Sequence, residues 1–435
     1  MDRECGTGAR LASIRSPKLA RSKSSPPTPG SKYYAGFDAG FVADVIEYLA
    51  LGHLSLLLDP WNGAGTTTKV AADLGIPSIG IDINPAVVLI AKSKLLGSGV
   101  AESLDALTHE VLAHARSHVD FSSTRDQLDQ RFTFGTSRYL RSIERSIHHL
   151  LVAPGRTLGF STPESLDAIS SLAASFYVVL FETVRSFLGA YRSSNPTWFK
   201  SASVGDVSVA KDRVDSRFRA IEARHHRHLN GLATVTETPE GRAILRLATS
   251  TATGIKDGAV DACITSPPYC TRIDYAMMTR PELAVLGLGQ KTVRELRESI
   301  IGSPTVVKSR PAEDPSWGPY VHDFLSAVKA HNSKASATYY LNYFVQYFDG
   351  MHRSLNEVRR VLKPGGRSAI VVQDSYYKEI RFDLGRALAE MAMECGWMEV
   401  ERMDFAAPHR RANMNPSARQ YRAGAVATES LLILS

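Results

Sequence analysis

The 435-residue chain has no apolar run approaching the roughly 18 residues that would cross a bilayer, so no membrane span is expected. Its first residues contain no apolar core of the signal-peptide kind, which makes a cytoplasmic location the expectation. Cysteine is scarce. Cys5, Cys263, Cys270 and Cys395 form no Cys-x-x-Cys pair, and no histidine stands at metal-ligand spacing from them. A disulfide scaffold and a zinc module are thereby excluded, and no metal site is expected. There is no Gly-x-Gly-x-x-Gly turn and no Gly-Lys-Ser/Thr closing a Walker loop, so neither nucleotide fingerprint is present. Acids are in modest deficit, 44 against 51 basic residues, for a net charge of +7. That excess is compatible with a polyanionic partner without requiring one.

What is present is an ordinary soluble balance, 44% hydrophobic and 22% charged, in a chain long enough for a catalytic domain and a second substrate-handling region. Residues 1–32 are rich in Ser, Pro, Arg and Lys, with only Asp2 and Glu4 as acids, and read as a disordered basic tail. From Tyr33 the pattern changes. Phe37, Phe41, Val45, Ile46 and Leu49 make a helical stripe, and Leu54 to Leu58 form an apolar run ending at Asp59. The stretch Asp59-Pro60-Trp61-Asn62-Gly63-Ala64-Gly65-Thr66 is a loop, and Thr66 or Thr67 is placed to cap the helix that follows. Residues 78–82 are a second strand, and Asn84-Pro85 opens another helix, giving a β-loop-α-β unit of parallel-sheet type.

Residues 100–243 read as helical, with a long helix over 164–190 and an Arg- and His-rich one over 207–229. Strands return at 244–248 and 260–265. Residues 288–336 are polar and punctuated by Gly302, Pro304, Pro311, Pro315 and Gly318, as in an insertion or lid. A helix from Tyr339 to Leu362, strand 368–373, helix 382–395 and strands near 397–404 and 429–434 complete the chain.

Two loops carry chemistry. In the first, glycines let the backbone approach a ligand and the helix start offers free N–H groups. Asp82, ending the next strand, stands where doubly wound folds place an acceptor for ribose hydroxyls. In the second, Ser266-Pro267-Pro268-Tyr269 follows a buried strand directly. The prolines fix φ and bring no N–H, so the Pro267 carbonyl is presented as an acceptor. With the Ser266 hydroxyl and the Tyr269 ring, this turn suits a planar heterocycle bearing an amino group.

Together, Asp59-Pro60-Trp61-Asn62-Gly63-Ala64-Gly65-Thr66-Thr67 and Thr265-Ser266-Pro267-Pro268-Tyr269 resemble the DNA amino-methyltransferases that modify cytosine N4 or adenine N6. Gly80-Ile81-Asp82-Ile83-Asn84-Pro85, Arg360 to Gly366, Glu429 to Leu434 and Tyr33-Tyr34-Ala35-Gly36-Phe37 add weaker matches, and the whole covers roughly half the chain. The resemblance implies an α/β fold: a doubly wound, seven-stranded, mostly parallel sheet of the class I methyltransferase, Rossmann-like kind, with a reversed last strand and a helical insertion. It implies S-adenosyl-L-methionine as cofactor, held by Tyr34, Phe37, Asp59, Trp61, Asn62, Gly63, Gly65, Thr66, Thr67, Asp82 and Ile83. It implies Ser266, Pro267, Pro268 and Tyr269 as the catalytic turn, with Arg272, Asp274 and Tyr275 near the substrate. DNA is the implied partner, its target base flipped out, alongside a cognate restriction or defence nuclease.

On this reading residues 33–99 form the cofactor half of the domain and 244–287 with 337–435 the catalytic half. Residues 100–243 are the candidate target-recognition region, with 288–336 as rival. Serine at the head of the turn leans toward cytosine N4, with adenine N6 second. An RNA or protein-amide methyltransferase and a non-catalytic nucleic-acid-binding protein are the other readings. His225-His226-Arg227-His228, with Arg213, Arg217, Arg219 and Arg224, reads as a solvated basic face. Asn195 and Trp198 belong to a turn, and Cys270 is expected to serve packing, since the ring-carbon methylation mechanism needs a Pro-Cys pair that is absent.

Overall fold

A computed structural model describes residues 13–18, 38–119, 125–153, 160, 162–189, 205–230, 242–307, 309, 311–407 and 427–435. Helix α1 (Ala39–Tyr48) opens on Asp38, whose side chain accepts from the Gly40 and Phe41 amides, and it buries Phe41, Val42, Val45 and Ile46. The first βαβ unit runs β1 (Leu57–Asp59), α2 (Thr66–Asp73), β2 (Ser78–Asp82) and α3 (Pro85–Ser93). Asn84 caps α3 with its side chain on the Ala86 amide, as the Asn-Pro pair indicates. The helix α2 differs from expectation. Its cap is Gly65, at φ 80°, with no side-chain cap bond. Neither Thr66 nor Thr67 caps it, because the left-handed turn that brings the loop round requires glycine one position earlier.

The helical region contains α4 (Leu104–Ser117), α5 (Phe134–Leu151), the short α6 (Pro163–Asp167), α7 (Ser171–Phe187) and α8 (Lys211–Asn230). The helix expected over 164–190 is broken, because the Ser170 side chain accepts from Ala173 N and starts α7 afresh. Helix α7 is buried along nearly all its length, and its Phe176, Tyr177 and Leu180 share one core with Val88 and Leu89 of α3 and with Ala243 and Leu245 of β3 (Ala243–Leu247). The helical region is therefore welded to one side of the sheet. His225 departs from the solvated face expected of its cluster. It is buried on the inner side of α8, 3.6 Å from Glu182, and burial pushes its pKa down to about 4. Arg213 and Arg217 do face solvent.

After β4 (Val260–Thr265) come the short α9 (Tyr275–Met278), α10 (Arg280–Val285), α11 (Gln290–Ser299), α12 (Pro319–Ala330) and α13 (Leu341–Val361). Strand β5 (Leu362–Gln373), the hairpin β6 (Ser375–Tyr377) and β7 (Ile380–Phe382), helix α14 (Leu384–Glu394), β8 (Val400–Ala407) and β9 (Ala427–Leu434) finish the fold. Lys363 to Gly366 bulge out of β5, so that Val260 pairs with Leu362 but Ala262 with Arg367.

The segment 288–336 is more integrated than a lid. Trp317, Val321, Phe324, Leu325 and Val328 are buried among α13 and α14 residues. Only α11 has no buried residue. The stretch after it is strapped to α13 and the turn before it: Tyr339 donates to the Pro304 carbonyl at 2.7 Å, and Val307 N donates to the Gln346 side chain at 3.0 Å.

The seven strands lie in the order β3-β2-β1-β4-β5-β9-β8, with β9 antiparallel to both neighbours and the other pairs parallel. This is the strand order of the class I methyltransferase fold, with order reversing between β1 and β4, the topological switch point. One helical layer carries α1, through Phe41, Val45 and Leu57; the other carries α13 and α14, through Phe348, Leu388 and Leu432. Within the stretch expected to be a tail, residues 13–18 lie against α1. Ile14 is buried, and Arg15 pairs with Asp44 at 2.7 Å. One apolar residue and one ion pair dock the segment that composition marks as too polar to pack. Asn195 and Trp198 lie outside the described residues.

Candidate active site

Strands β1 and β4 are adjacent and parallel, so their carboxyl ends meet at one edge. The glycine loop leaves the first and the Ser266 turn the second. They are joined directly: Thr265 Oγ1 donates to Asp59 Oδ1 at 2.6 Å. The two loops read separately in the sequence thus line a single crevice.

On the β1 side, Asp59 is 2% exposed and accepts also from Trp61 N at 3.1 Å. Burial raises its pKa to about 6, against the opposing pull of the Thr265 and Thr67 hydroxyls and the Trp61 amide. Asp82 accepts from Gly63 N at 3.1 Å and Asn84 N at 2.8 Å, and burial raises it also to about 6. Asn62 is buried, receives the Thr68 hydroxyl at 3.0 Å and leans on Gly80, where a Cβ would come within 2.5 Å of it. Gly65 has a second constraint besides its φ. A Cβ there would sit 2.8 Å from Ala91 Cβ on α3. Trp61, in the loop after β1, and Ile83, just past β2, are half-buried. Tyr34 and Phe37 lie outside the described residues.

Asp59 and Asp82 carry a stability cost with a definite sign. Both pKa values lie above the ordinary 3.8, so the folded chain binds protons the unfolded chain has released. The cost is absent below pH 3.8 and grows as pH rises through 6. Asp59→Asn is therefore expected to raise the denaturation midpoint of the ligand-free protein at pH 8 and not at pH 4. Equal shifts at both pH values in urea melts would contradict the buried charge as the cause.

On the β4 side, the turn is held from behind by two tyrosines of α13. Tyr347 donates to the Pro268 carbonyl at 2.9 Å, and the Tyr343 hydroxyl accepts from Arg272 N at 3.1 Å. Gly302 packs on the turn, with room for a Cβ only 3.3 Å from the Tyr269 carbonyl. The Tyr269 phenol is raised by burial and by Glu429, while the Ser266 side chain lowers it. Cys270 is buried and its thiol is pushed up by burial, so it stays protonated.

The three residues read as substrate contacts divide. Arg272 is exposed at the crevice, with φ 56° and its guanidinium 4.8 Å from the Tyr340 ring centroid. Tyr275 is half-buried at the start of α9. Asp274 is turned inward, 1% exposed, capping Met277 N at 3.0 Å and paired with Arg297 at 2.7 Å. Sequence reading named Thr265 in the motif without its bond to Asp59, and missed Tyr343 and Tyr347. Nothing in the local pattern marks these contacts, which span 206, 71 and 79 residues.

No family model matches the chain. It is similar to the type II methyltransferase M.BsoBI of Geobacillus stearothermophilus, at 25% identity over 311 residues, covering 64% of this chain and 56% of that protein. It is similar also to M.AvaI of Nostoc sp., at 22% identity over 408 residues, covering 86% of this chain and 80% of that one. A 58-residue stretch, 13% of this chain and 11% of the other protein, is 41% identical to M.MjaII of Methanocaldococcus jannaschii. The chain thus spans little more than half of M.BsoBI and four-fifths of M.AvaI. Among solved structures, an arsenic(III) S-adenosylmethionine methyltransferase from Chlamydomonas reinhardtii aligns at 11% identity over 88% of this chain and 64% of that chain, with a TM-score of 0.27. That value adds nothing to the strand order. By sheet topology and by these sequence relatives, the chain is a protein of the class I methyltransferase fold related to the type II methyltransferases.

Proposed function

We propose that this chain is a site-specific DNA methyltransferase that moves the methyl group of S-adenosyl-L-methionine to the exocyclic amino group of a flipped base, with cytosine N4 as target. The observation that carries the reading is the Thr265–Asp59 bond, which puts the glycine loop and the Ser266 turn on the two walls of one crevice.

The residues present fit the cofactor. Helix α2 begins without a side-chain cap, so its first N–H groups are open to a carboxylate. The left-handed Gly65 and the contact with Ala91 keep side chains out of that approach. Asp59 is placed for the ammonium of the methionine part and Asp82 for the ribose hydroxyls, each with lone pairs left beyond its loop amides. Trp61 borders the glycine loop and Ile83 follows Asp82 at the end of β2, and the resemblance assigns Tyr34 and Phe37 to the same cofactor. The bound cofactor supplies an electrophilic methyl on sulfur.

The chain's own part is to hold the amine. An exocyclic amine shares its lone pair with the ring. Accepting its protons at Ser266 Oγ and the Pro267 carbonyl draws the nitrogen toward tetrahedral geometry and frees that pair. The Tyr347 bond to the Pro268 carbonyl stiffens the bend that aims those acceptors. Tyr269 offers its ring to the base, and Arg272 and Tyr275 border the opening. The protonated state of Cys270 favours direct attack by nitrogen over a route through a covalent cysteine adduct. DNA is the partner on this reading, reached by the exposed arginines of α8, and a nuclease of the same specificity is the natural companion of a type II enzyme.

Incubation with labelled S-adenosylmethionine and mixed DNA, followed by digestion to nucleosides, is expected to yield N4-methyl-2′-deoxycytidine. N6-methyl-2′-deoxyadenosine would move the target to adenine, and no label in any nucleoside would end the reading. Asp82→Ala is expected to weaken cofactor binding in calorimetry by about tenfold or more, the cost of a lost charge-assisted bond. Unchanged affinity would remove Asp82 from the ribose.

A further inference from the structure

Around the catalytic turn, arginines and acids are matched. Arg297 pairs with Asp274 at 2.7 Å, Arg381 with Asp374 at 2.8 Å, and Arg185 with Glu282. Glu379, at the tip of the β6–β7 hairpin, bonds His331 at 3.0 Å. Arg272 stands apart. It is exposed at the mouth of the crevice, three residues past Tyr269, and among the described residues no carboxylate pairs with it. Its partners are two tyrosines, Tyr343 at its amide and Tyr340 at its guanidinium.

Those tyrosines belong to one row. Tyr340, Tyr343 and Tyr347 stand at i, i+3 and i+7 on one face of α13, with Tyr340 already in helical geometry before Leu341. Each meets the segment that leaves the turn. Tyr347 donates to the Pro268 carbonyl at 2.9 Å, Tyr343 accepts from the Arg272 amide at 3.1 Å, and the Tyr340 ring centroid lies 4.8 Å from the Arg272 guanidinium. The Tyr340 ring is itself held, with the ring centroids of Tyr339 at 5.1 Å and Tyr377 at 5.0 Å. Arg272 has φ 56°, a left-handed turn that an arginine seldom adopts and that persists only where its surroundings fix it. Backbone and guanidinium are thus both set before any ligand arrives.

We propose that Arg272, positioned by Tyr340, binds a backbone phosphate of the target strand beside the flipped base. The inference rests on the DNA methyltransferase reading above and names the group that anchors its substrate. On that reading the base itself is held by Ser266, Pro267 and Tyr269. Its amine needs acceptors, and a guanidinium has only donors, so Arg272 is unsuited to that part of the substrate. Flipping swings the target nucleotide about its backbone, which leaves the flanking phosphates at the mouth while the base enters the turn. The planar fork of an arginine matches phosphate oxygens in pairs, and its charge acts most strongly where no nearby acid neutralises it.

The ring adds preorganisation. A free arginine side chain loses rotamer freedom on binding, and one already resting on an aromatic face loses less. A guanidinium over a ring keeps N–H groups at its outer edge for a ligand. The contact neutralises a phosphate and releases counterions, so it weakens with salt. An arginine that instead read the unpaired partner base would be indifferent to the charge on the phosphates.

The S-adenosylhomocysteine-loaded protein should be titrated with a duplex of the sequence that the wild type methylates, over a range of salt. The forms compared are the wild type, Arg272→Gln, Arg272→Lys and Tyr340→Leu, with cofactor affinity and thermal melting measured for each. Arg272→Gln is expected to lose about tenfold in DNA affinity and to reduce the slope of log K against log salt by about one, at unchanged cofactor affinity and melting. Arg272→Lys should keep the slope, and Tyr340→Leu should keep the slope but bind more weakly. A neutral methylphosphonate, placed in turn at each phosphate flanking the target base, is expected at one of them to weaken the wild type and to weaken Arg272→Gln no further. An unchanged slope in Arg272→Gln, or methylphosphonates that weaken it as much as the wild type, overturns the proposal and leaves the methyltransferase reading intact. Tyr340→Leu binding as tightly as the wild type overturns the role of the ring. Loss of cofactor affinity or of the fold in both Arg272 variants makes the residue structural and also overturns the proposal. A wild type that methylates no DNA overturns both the proposal and the reading beneath it.

Discussion

Replacing Ser266 or Tyr269 by alanine is expected to reduce methyl transfer to DNA by about 10²–10³-fold or more, with cofactor affinity unchanged. The size follows from the kind of interaction lost: an acceptor or a platform that acts on the reacting amine as charge develops there. The separation of effects follows from the topology. Both residues leave β4, whereas the glycine loop leaves β1, and the link between the walls is made by Thr265 and Asp59. Each turn residue can therefore be truncated without disturbing the loop. Single-turnover rates with labelled cofactor, beside calorimetry with S-adenosylhomocysteine, read the two quantities independently. Retained transfer in both variants would remove the turn from the chemistry.

The largest effect on stability is expected at Arg141, far from any motif. This guanidinium on α5 bonds both oxygens of Asp126, at 2.8 and 3.1 Å, and Glu144 at 3.0 Å. It also donates to the carbonyls of Ala284, at 2.9 Å, and Val285, at the end of α10. Against the desolvation of its site, Arg141 holds the Asp126 carboxyl below the ordinary carboxylate range. Arg141→Met would fill much of the volume but leave two buried carboxylates and two carbonyls without their donor. Breaking a buried ion cluster this way costs about 3–5 kcal/mol. The denaturation midpoint should fall accordingly, more at pH 7 than near pH 3, because the stability tied to a depressed carboxyl is lost as pH falls through its folded value. An unchanged midpoint would mean that Arg138, 3.6 Å from Asp126, suffices alone. Since α10 follows the catalytic turn, the same cluster ties the helical region to the chemistry.

Much of the site was legible because its residues are dictated locally. Gly65 must be glycine for its φ and for Ala91, Asn84 and Pro85 open α3 by their own stereochemistry, and two prolines stiffen a turn wherever they stand. The positions of Asp59 and Asp82 at strand ends, and of Ser266 just past one, could be read from the sequence. The failures came where packing overrode composition. A Ser- and Arg-rich segment docks through Ile14 and Arg15, His225 turns inward within a run of basic residues, and a polar stretch is anchored in the core through Trp317 and one face of α12. Asp274, read as a substrate contact, is buried, caps α9 and is held by Arg297.

The sequence by itself determined the chemistry on offer: a glycine loop between a strand and a helix, an acid ending the next strand, and a proline turn flanked by a hydroxyl and a phenol. Short-range sterics and hydrogen bonding specify such features within a few residues. Only the tertiary structure decided that they face each other, because strand order is a property of the whole sheet. β1 and β4 are some 200 residues apart in the chain and neighbours in space, and the bond from Thr265 to Asp59 spans 206 positions. The same long-range pairing brought Tyr343 and Tyr347 behind the turn and Tyr340 against Arg272, and no local pattern encodes contacts at that separation.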